Sequence, residues 1–477
     1  MTQNQPADAT VLVVDLDGTL CRTDTLHEAL LALLAQRPLA AFSILGWLRE
    51  GRAAFKSHVA NASIVPGDSL PLNDEVLDIV RGARAEGRRT ALVTAADQRQ
   101  AEAVANSVGL FDDVVGSSDG DNLKGSAKAR KLVELYGEDG FDYLGDSYAD
   151  IPVWSAARKA VTVGADAKLR GAAEAANPNV AHLAAPKGKA RAMLKAIRPH
   201  QWSKNALLFL PLVAAHDFGA LWVVGLAFLA FCFTASAVYV INDLLDLDAD
   251  RAHPRKRCRP FASGMLGADT GVVLAVGLLC MAAILGMATG QVAFPGVLAV
   301  YLTFTFAYSL ALKRKLIIDV LTLAGLYTVR IVAGGVAGDL LLSQWLLGFS
   351  MFLFLGLAAV KRQAELTDQL ATGRESLGRA YEVDDLPILR ALAVSASMAA
   401  VLVLSLYISS DDVIVLYSSP LFLWLLCPLV LYWVLRMVMA THRGKMTDDP
   451  IVFAATDRIS QLIIGFAVVI VAAATFL

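Results

Sequence analysis

Two regimes of apolar patterning divide the chain. Up to about residue 200, short apolar runs alternate with charged segments as in a water-soluble domain, whereas from about residue 204 apolar runs of roughly 17–25 residues recur, each long enough to cross a bilayer. The second regime predicts about nine membrane-spanning helices, near 204–218, 219–243, 269–288, 291–311, 317–338, 343–361, 387–408, 415–439 and 458–477. In the first regime, Val11-Leu12-Val13-Val14, Thr90-Ala91-Leu92-Val93 and Phe141-Asp142-Tyr143-Leu144 read as buried parallel strands, and Leu26–Leu34 and Phe42–Leu48 show helical periodicity. The stretch 165–195, rich in Ala, Gly, Pro and Lys, predicts a helix and a linker ending in Pro186-Lys187-Gly188-Lys189-Ala190. The expected domains are thus 1–185 with a helical insertion over 22–85, a linker and interfacial segment over 186–203, and a membrane domain over 204–477.

Composition agrees with this division: 56% of the 477 residues are hydrophobic and 18% charged, which excludes a wholly soluble protein. The net charge of −2 averages two opposed regions and decides little. The charge of the connections decides more. One set carries Arg251, Arg255, Lys256, Arg257 and Arg259, then Lys313, Arg314 and Lys315, then Lys361, Arg362, Arg374 and Arg379, then Arg443 and Lys445; the alternate loops at 214–220, 288–294, 338–344 and 409–420 hold no Lys or Arg. The asymmetry predicts a multi-pass protein of the plasma (inner) membrane with the basic loops in the cytoplasm. The polar start Met1-Thr2-Gln3-Asn4-Gln5-Pro6 lacks the pattern of a secretory signal, so the soluble domain is expected on the cytoplasmic side too. Cys21, Cys232, Cys258, Cys280 and Cys427 show no paired spacing and are expected as free thiols. The expected partner at this point is the bilayer, with no nucleic acid; an oligomer is compatible with the pattern.

The most informative stretch is Asn242-Asp243-Leu244-Leu245-Asp246-Leu247-Asp248-Ala249-Asp250, at the end of an apolar run and before the basic Arg251–Pro260. Charge at the bilayer edge is costly, which points to function. Asp243, Asp246 and Asp250 share one face if the helix continues through them. Mg²⁺ takes one or two carboxylates and is completed by substrate phosphates, so this row beside a basic run reads as a metal-bridged diphosphate site.

In the soluble part, Asp15-Leu16-Asp17-Gly18-Thr19 follows the first strand, Thr94 the second, Lys124 comes later, and Gly145-Asp146-Ser147-Tyr148-Ala149-Asp150 follows the third. These elements resemble, in order, those of the haloacid-dehalogenase-like (HAD) phosphatases over about residues 10–170. The resemblance implies an α/β Rossmannoid domain with a small helical cap. It implies Asp15 as nucleophile, Asp17 as general acid and base, Thr94 on a phosphoryl oxygen, Lys124 as the compensating cation, and Mg²⁺ on Asp15, Asp146 and Asp150. Trp47 and Phe55 in the cap are candidates for ligand contact or for ordinary packing.

From Arg198-Pro199-His200-Gln201-Trp202-Ser203-Lys204-Asn205 onward the chain resembles the UbiA superfamily of intramembrane transferases, through the row at Asn242, Asp243, Asp246 and Asp250 and through Arg259, Pro260 and Gly264. That resemblance implies an all-α polytopic bundle and Mg²⁺-dependent displacement of pyrophosphate. A second acidic repeat, usual in members that prenylate aromatic rings, is missing from Val360–Asp368, where only Glu365 and Asp368 occur. Together with His253–Pro260, Tyr308–Arg314 and Lys361–Leu366, this resembles the decaprenyl-phosphate phosphoribosyltransferase branch, whose donor is phosphoribosyl pyrophosphate and whose acceptor is a polyprenyl phosphate. Candidate phosphate contacts are Lys204, Arg257, Arg259, Lys313, Lys361 and Arg362, each of which equally fits a topological role. Tyr308 is a candidate for orienting phosphate or for the interfacial belt. Asp319 is a candidate metal or ribose ligand, and Arg330, inside a span, is expected to face the interior and meet a carboxylate or the substrate. Asp448, Asp449, Asp457 and Arg458 fit either the family's last loop or helix caps. Prenyl transfer to another acceptor remains the alternative chemistry, and a lipid-binding anchor for a lone phosphatase the alternative role.

Overall fold

The computed structural model describes residues 10–118, 122–185, 188–373, 380–446 and 449–477. Met1–Pro6, Pro186, Lys187, Arg374, Arg379 and Asp448 lie outside the described residues. The chain forms two compact units, Met1–Ile197 with Tyr239–Ala275, and Arg198–Val238 with Val276–Leu477.

The first unit is built on a parallel sheet of β1 (Val11–Val14), β2 (Thr90–Asp97), β3 (Asp113–Ser117), β4 (Phe141–Gly145), β5 (Lys159–Val163) and β6 (Val180–Leu183), in the order β3-β2-β1-β4-β5-β6. Every residue of β1 is buried because both faces of the sheet are covered, which explains its unbroken apolar run. Leu12 and Val14 pack with Leu92 and Leu144 under Val59, Val76, Val80 and Val104, while Val11 and Val13 pack with Phe141 and Tyr143 under Leu132, Val153 and Trp154. Chain order reverses between β1 and β4, and ligand sites of open α/β sheets form at the carboxyl ends of the strands flanking such a point. Between β1 and β2 the cap contributes α1 (Thr25–Gln36), α2 (Ala40–Trp47) and α3 (Arg52–Ala62), followed by α4 (Asp74–Ala85); α5 (Gln98–Val108) and α6 (Ser126–Tyr136) come later.

The segment Tyr239–Ala275 is held against the sheet domain. Arg251 donates to both carboxylate oxygens of Glu28 on α1, at 2.8 and 3.1 Å, and its Nε donates to the Ala262 carbonyl at 3.0 Å. Both side chains are buried, 9% and 3% exposed, so this is a desolvated bidentate pair rather than a surface contact. Gly264 has φ +71°, and a Cβ there would come within 2.9 Å of the Arg22 Cβ, so only glycine admits this approach. Lys195 Nζ donates to the Cys258 carbonyl at 2.9 Å.

Seven helices among the described residues are long and apolar enough to cross a membrane: Phe218–Leu245, Ala268–Ala288, Ile318–Gly338, Gln344–Thr372, Val383–Ile408, Pro420–His442 and Arg458–Phe476. Phe294–Leu310 is a shorter apolar helix. Seven of the about nine expected spans are met by these helices; of the other two, 291–311 is the shorter helix Phe294–Leu310, and there is no single long helix over 204–218. That stretch divides into the 3-10 turn Pro199–Phe209 and the six-residue helix Leu210–Ala215, which ends where His216 takes a left-handed conformation. In the second unit, Gly334 lets the helix Ile318–Gly338 approach that 3-10 segment, a Cβ there meeting the Leu208 carbonyl oxygen at 1.9 Å. Gly356, Ala393 and Ser397 similarly bring the helices Gln344–Thr372 and Leu386–Ile408 together, as small residues do where lipid supplies no hydrophobic drive. The five cysteines are free.

Removing Glu28 leaves Arg251 buried without its carboxylate. Glu28→Ala is expected to cost about 3–5 kcal/mol locally, read as faster hydrogen exchange over 251–264 with β1 and β4 unaffected. Exchanging the charges, Glu28→Arg with Arg251→Glu, recovers protection in part.

Candidate functional site

Asp15 and Asp17 follow the central strand β1, and the register that sets Val14 opposite Leu92 and Leu144 brings Thr94 on β2 and Asp146 after β4 to the same sheet edge. Asp15, Asp146 and Asp150 each present an oxygen within 4.8 Å of the others, a donor set suited to a divalent cation. The turn that achieves this needs Gly18, whose φ is +74°; a Cβ there would stand 2.1 Å from Asp146 Oδ2. Asp150 is fixed by Tyr143, whose hydroxyl donates to Oδ1 at 2.8 Å, and by Ser147, whose N–H and hydroxyl donate to Oδ2 at 3.1 and 3.0 Å. Thr94 is buried and its Oγ1 accepts from the Ala96 N–H at 3.0 Å.

The cation facing the first carboxylate is Lys128, not Lys124. Lys128 Nζ lies 2.9 Å from Asp15 Oδ1 and 3.6 Å from Asp150 Oδ1, and it donates to the Tyr143 hydroxyl at 2.8 Å. Lys124 is exposed just before α6. The physical reason is helical phase: Lys128 shares the inward face of α6 with Ala129 and Leu132, whereas Lys124 precedes the helix. A lysine on an apolar stripe was the available signal.

One lysine cannot neutralise this many carboxylates. Burial, reinforced by the charges of Asp15 and Asp150, pushes Asp146 up to about 8, and burial together with Asp24 pushes Asp17 up to about 7 against the Thr25 N–H. Asp15 too is raised by burial, although Lys128 opposes the shift. The surplus of negative charge fits a site completed by a metal, and a carboxyl near 7 fits proton transfer at neutral pH. Asp17 is aimed by the cap, since its Oδ1 accepts from the Thr25 N–H at the start of α1, at 2.7 Å. Beside it lies a small cavity of about 50 Å³ lined by Leu26, Ala29, Lys56, Val59 and Ala60 among others. Trp47 and Phe55 pack against the core from the cap and do not line this cavity.

The acidic row differs from a straight helical face. The helix Leu221–Leu245 breaks at Asp246, and a second helix, Leu247–Ala252, follows. Asp243 and Asp250 are buried and both accept from Arg259 Nη1, at 3.0 and 2.6 Å, while Asp246 is exposed at the break. Burial holds the Asp250 carboxyl above its ordinary value despite Arg259. Two carboxylates converging on one cationic nitrogen are a donor pair that a divalent ion can share with a diphosphate. Asn242 is half-buried and Arg257 exposed.

In the second unit two further charge clusters form. Lys204 Nζ lies 2.5 Å and Lys361 Nζ 3.6 Å from Asp449 Oδ2. Burial alone would raise the Asp449 carboxyl, but the two ammonium groups hold it below its ordinary value. Its other oxygen caps the helix Pro450–Thr456, and Asp457 caps Arg458–Phe476 while pairing with Arg436. Arg362 is buried against Asp319, Glu365 and the Tyr308 hydroxyl, which itself donates to Asp319 at 2.8 Å. Tyr308 is therefore an interior contact rather than a belt residue. Asp319 has both oxygens engaged by protein groups, which argues against its expected role as metal or ribose ligand. Arg330 faces the interior as expected but meets neutral groups, the Asn205 amide oxygen at 2.8 Å and the Tyr301 hydroxyl at 2.9 Å. Lys361, Arg362 and Glu365 were expected on a loop; they lie in the second half of the helix Gln344–Thr372. Lys313 is half-buried near the short turn Leu312–Arg314.

A parallel α/β sheet domain with a D-x-D-G-T strand end, joined to an apolar helical domain with an acidic row, defines a membrane-bound transferase linked to a hydrolase-like domain. Residues 206–474 match the UbiA prenyltransferase family and residues 12–155 match the haloacid dehalogenase-like hydrolases. The chain belongs to the UbiA prenyltransferase family. It is 38% identical to the uncharacterized protein y4nM of Sinorhizobium fredii, over 95% of this chain and 88% of that one. It is 38% identical to the nodulation protein NoeC of Azorhizobium caulinodans over 57% of this chain and 90% of that one, and 34% identical to the decaprenyl-phosphate phosphoribosyltransferase of Mycobacterium tuberculosis over the same shares.

Two measurements check the phosphatase-like site. Lys128→Met is expected to slow phosphomonoester hydrolysis by about 10²–10³, with Lys124→Met nearly unchanged. In single-turnover phosphoryl transfer, the rate falls as pH rises through about 7, where Asp17 loses the proton it must donate; Asp17→Asn lacks that limb.

Proposed function

We propose that this chain is a bifunctional membrane enzyme that moves 5-phosphoribosyl from phosphoribosyl pyrophosphate to a polyprenyl phosphate and then removes the 5-phosphate from the lipid-linked product. The observation that carries the transferase reading is the pair of buried carboxylates, Asp243 and Asp250, meeting on one guanidinium nitrogen. In transfer, the bond from ribose C1 to the pyrophosphate oxygen breaks, pyrophosphate leaves with the electron pair, and an oxygen of the lipid phosphate bonds to C1. That nucleophile is already anionic and needs positioning rather than a general base. Asp243 and Asp250 would hold the metal with Asp246 at the helix break, leaving Arg259 to turn to the departing pyrophosphate. Lys204 and Lys361, which share Asp449, suit a phosphate oxygen, and Arg362 braces Glu365 and Asp319 rather than serving as a free cation. When bound, magnesium supplies charge cancellation for the pyrophosphate and for the phosphoryl group at the sheet.

The phosphoribosyl donor is favoured over a prenyl diphosphate by the helix Gln344–Thr372, where Glu365 is tied to Arg362 and Val360–Asp368 holds only Glu365 and Asp368 in place of a second acidic repeat. The similarity to a decaprenyl-phosphate phosphoribosyltransferase supports the same choice. In the phosphatase, Asp15 attacks phosphorus as Asp17 protonates the departing ribose O5; water, activated by Asp17, then cleaves the aspartyl phosphate and releases inorganic phosphate. The basic loops and the sheet domain are assigned to the cytoplasmic side of the plasma membrane.

Detergent-purified protein offered polyprenyl phosphate with phosphoribosyl pyrophosphate or with a prenyl diphosphate is expected to form product only with the first. Product from the prenyl donor alone selects prenyl transfer instead, and turnover surviving in Asp243→Ala would reduce the membrane part to an anchor. With ³²P in the 5-phosphate, wild type should release labelled inorganic phosphate whereas Asp15→Asn retains the label on lipid. Equal retention in both refutes the sequential reaction.

A further inference from the structure

The cap carries an apolar surface that its own fold does not cover. Along Leu39 and α2, Leu39, Phe42, Leu45 and Leu48 are 78, 75, 62 and 56% exposed. On its other side α2 does pack: Trp47 joins the core, and its ring stacks on His58 of α3 with centroids 5.4 Å apart. A helix apolar on every side belongs between two apolar phases, and here one of the two is supplied by the domain itself.

The surroundings of the cap identify the second phase. The unit that contains the cap also contains the ends of two membrane-length helices, Tyr239–Leu245 and Ala268–Ala275. The cap is tied to that membrane-edge segment through Glu28 on α1 and Arg251, six residues beyond the end of the helix Leu221–Leu245. Exposed Arg37 and Arg49 flank the apolar stripe, the arrangement by which an in-plane helix meets anionic headgroups. We propose that α2 lies in the bilayer surface with Leu39, Phe42, Leu45 and Leu48 among the lipid chains, so that the cavity beneath the cap opens toward phosphomonoesters carried on lipid. The consequence for substrate class rests on the phosphatase reading given above; the insertion itself does not. The cap then selects its leaving group by where it sits, admitting a headgroup that stays attached to its chain.

The test uses the full chain at one copy per nanodisc of phosphatidylcholine and phosphatidylglycerol. With the native cysteines replaced and Phe42→Cys carrying an environment-sensitive nitrobenzoxadiazole, the emission is expected to be blue-shifted and quenched by nitroxide-labelled lipids, whereas a label at Arg81→Cys on α4 stays water-like. Water-like emission at position 42 overturns the proposal. A blue shift that lipid nitroxides do not quench, or one seen only when two copies share a disc, also overturns it, since the cover is then protein. A second measurement needs no label: Leu39→Ser/Phe42→Ser/Leu45→Ser is expected to lose about tenfold or more in turnover of a lipid-linked phosphomonoester while hydrolysing p-nitrophenyl phosphate at the wild-type rate. Equal losses on both substrates overturn the lipid-selecting role. A wild type inactive on every lipid-linked ester sinks the phosphatase reading instead, and quenching at position 42 still decides the insertion.

Discussion

A carboxylate taken out of water must be met by positive charge or take up a proton, and the charged clusters of this chain are arranged by that requirement. Asp15 faces Lys128, Asp243 and Asp250 share Arg259, Asp449 is held by Lys204 and Lys361, and Asp319 is closed off by Arg362. The clusters are not equivalent. Asp319 has both oxygens engaged by protein groups, whereas the sheet site has more carboxylates than cations, a surplus that suits a divalent metal. Counting charges in each buried place therefore separates braces from sites more sharply than residue type does.

The same rule binds the soluble domain to the membrane-edge segment. Glu28 on α1 and Arg251 beyond the acidic row neutralise each other in a place where neither could stand alone. Because α1 also begins with the N–H that holds Asp17, one short helix joins Asp17 at the sheet edge to the segment carrying Asp250. The sheet domain and the acidic segment are held to each other through this pair.

Much of the site was legible because the residues concerned sit at the ends of regular elements. The strand ends at Asp15, Thr94 and Asp146 follow from short apolar runs, and the runs themselves predict most of the spans. What misled were places where local geometry departs from the regular element. The 3-10 segment up to Phe209 and left-handed His216 cut 204–218 short, and the break at Asp246 takes its carboxylate off the face shared by Asp243 and Asp250. The helix Gln344–Thr372 instead continues where a loop was expected, which places Arg362 and Glu365 one turn apart and in contact. The cap shows the other limit: its helices were readable from periodicity, but periodicity does not say which apolar side is left bare.

The amino-acid order alone determined the two regimes of hydrophobic spacing, the ordered phosphatase-like motifs and the acidic row, since these depend on residues near one another in the chain. Only the folded structure decided which cation answers which carboxylate. Lys128 displaced Lys124, Asn205 and Tyr301 took Arg330, and Glu28 claimed Arg251 from 223 positions away. Electrostatic partnership depends on distance and burial in three dimensions, and neither is written in the spacing of residues along the chain.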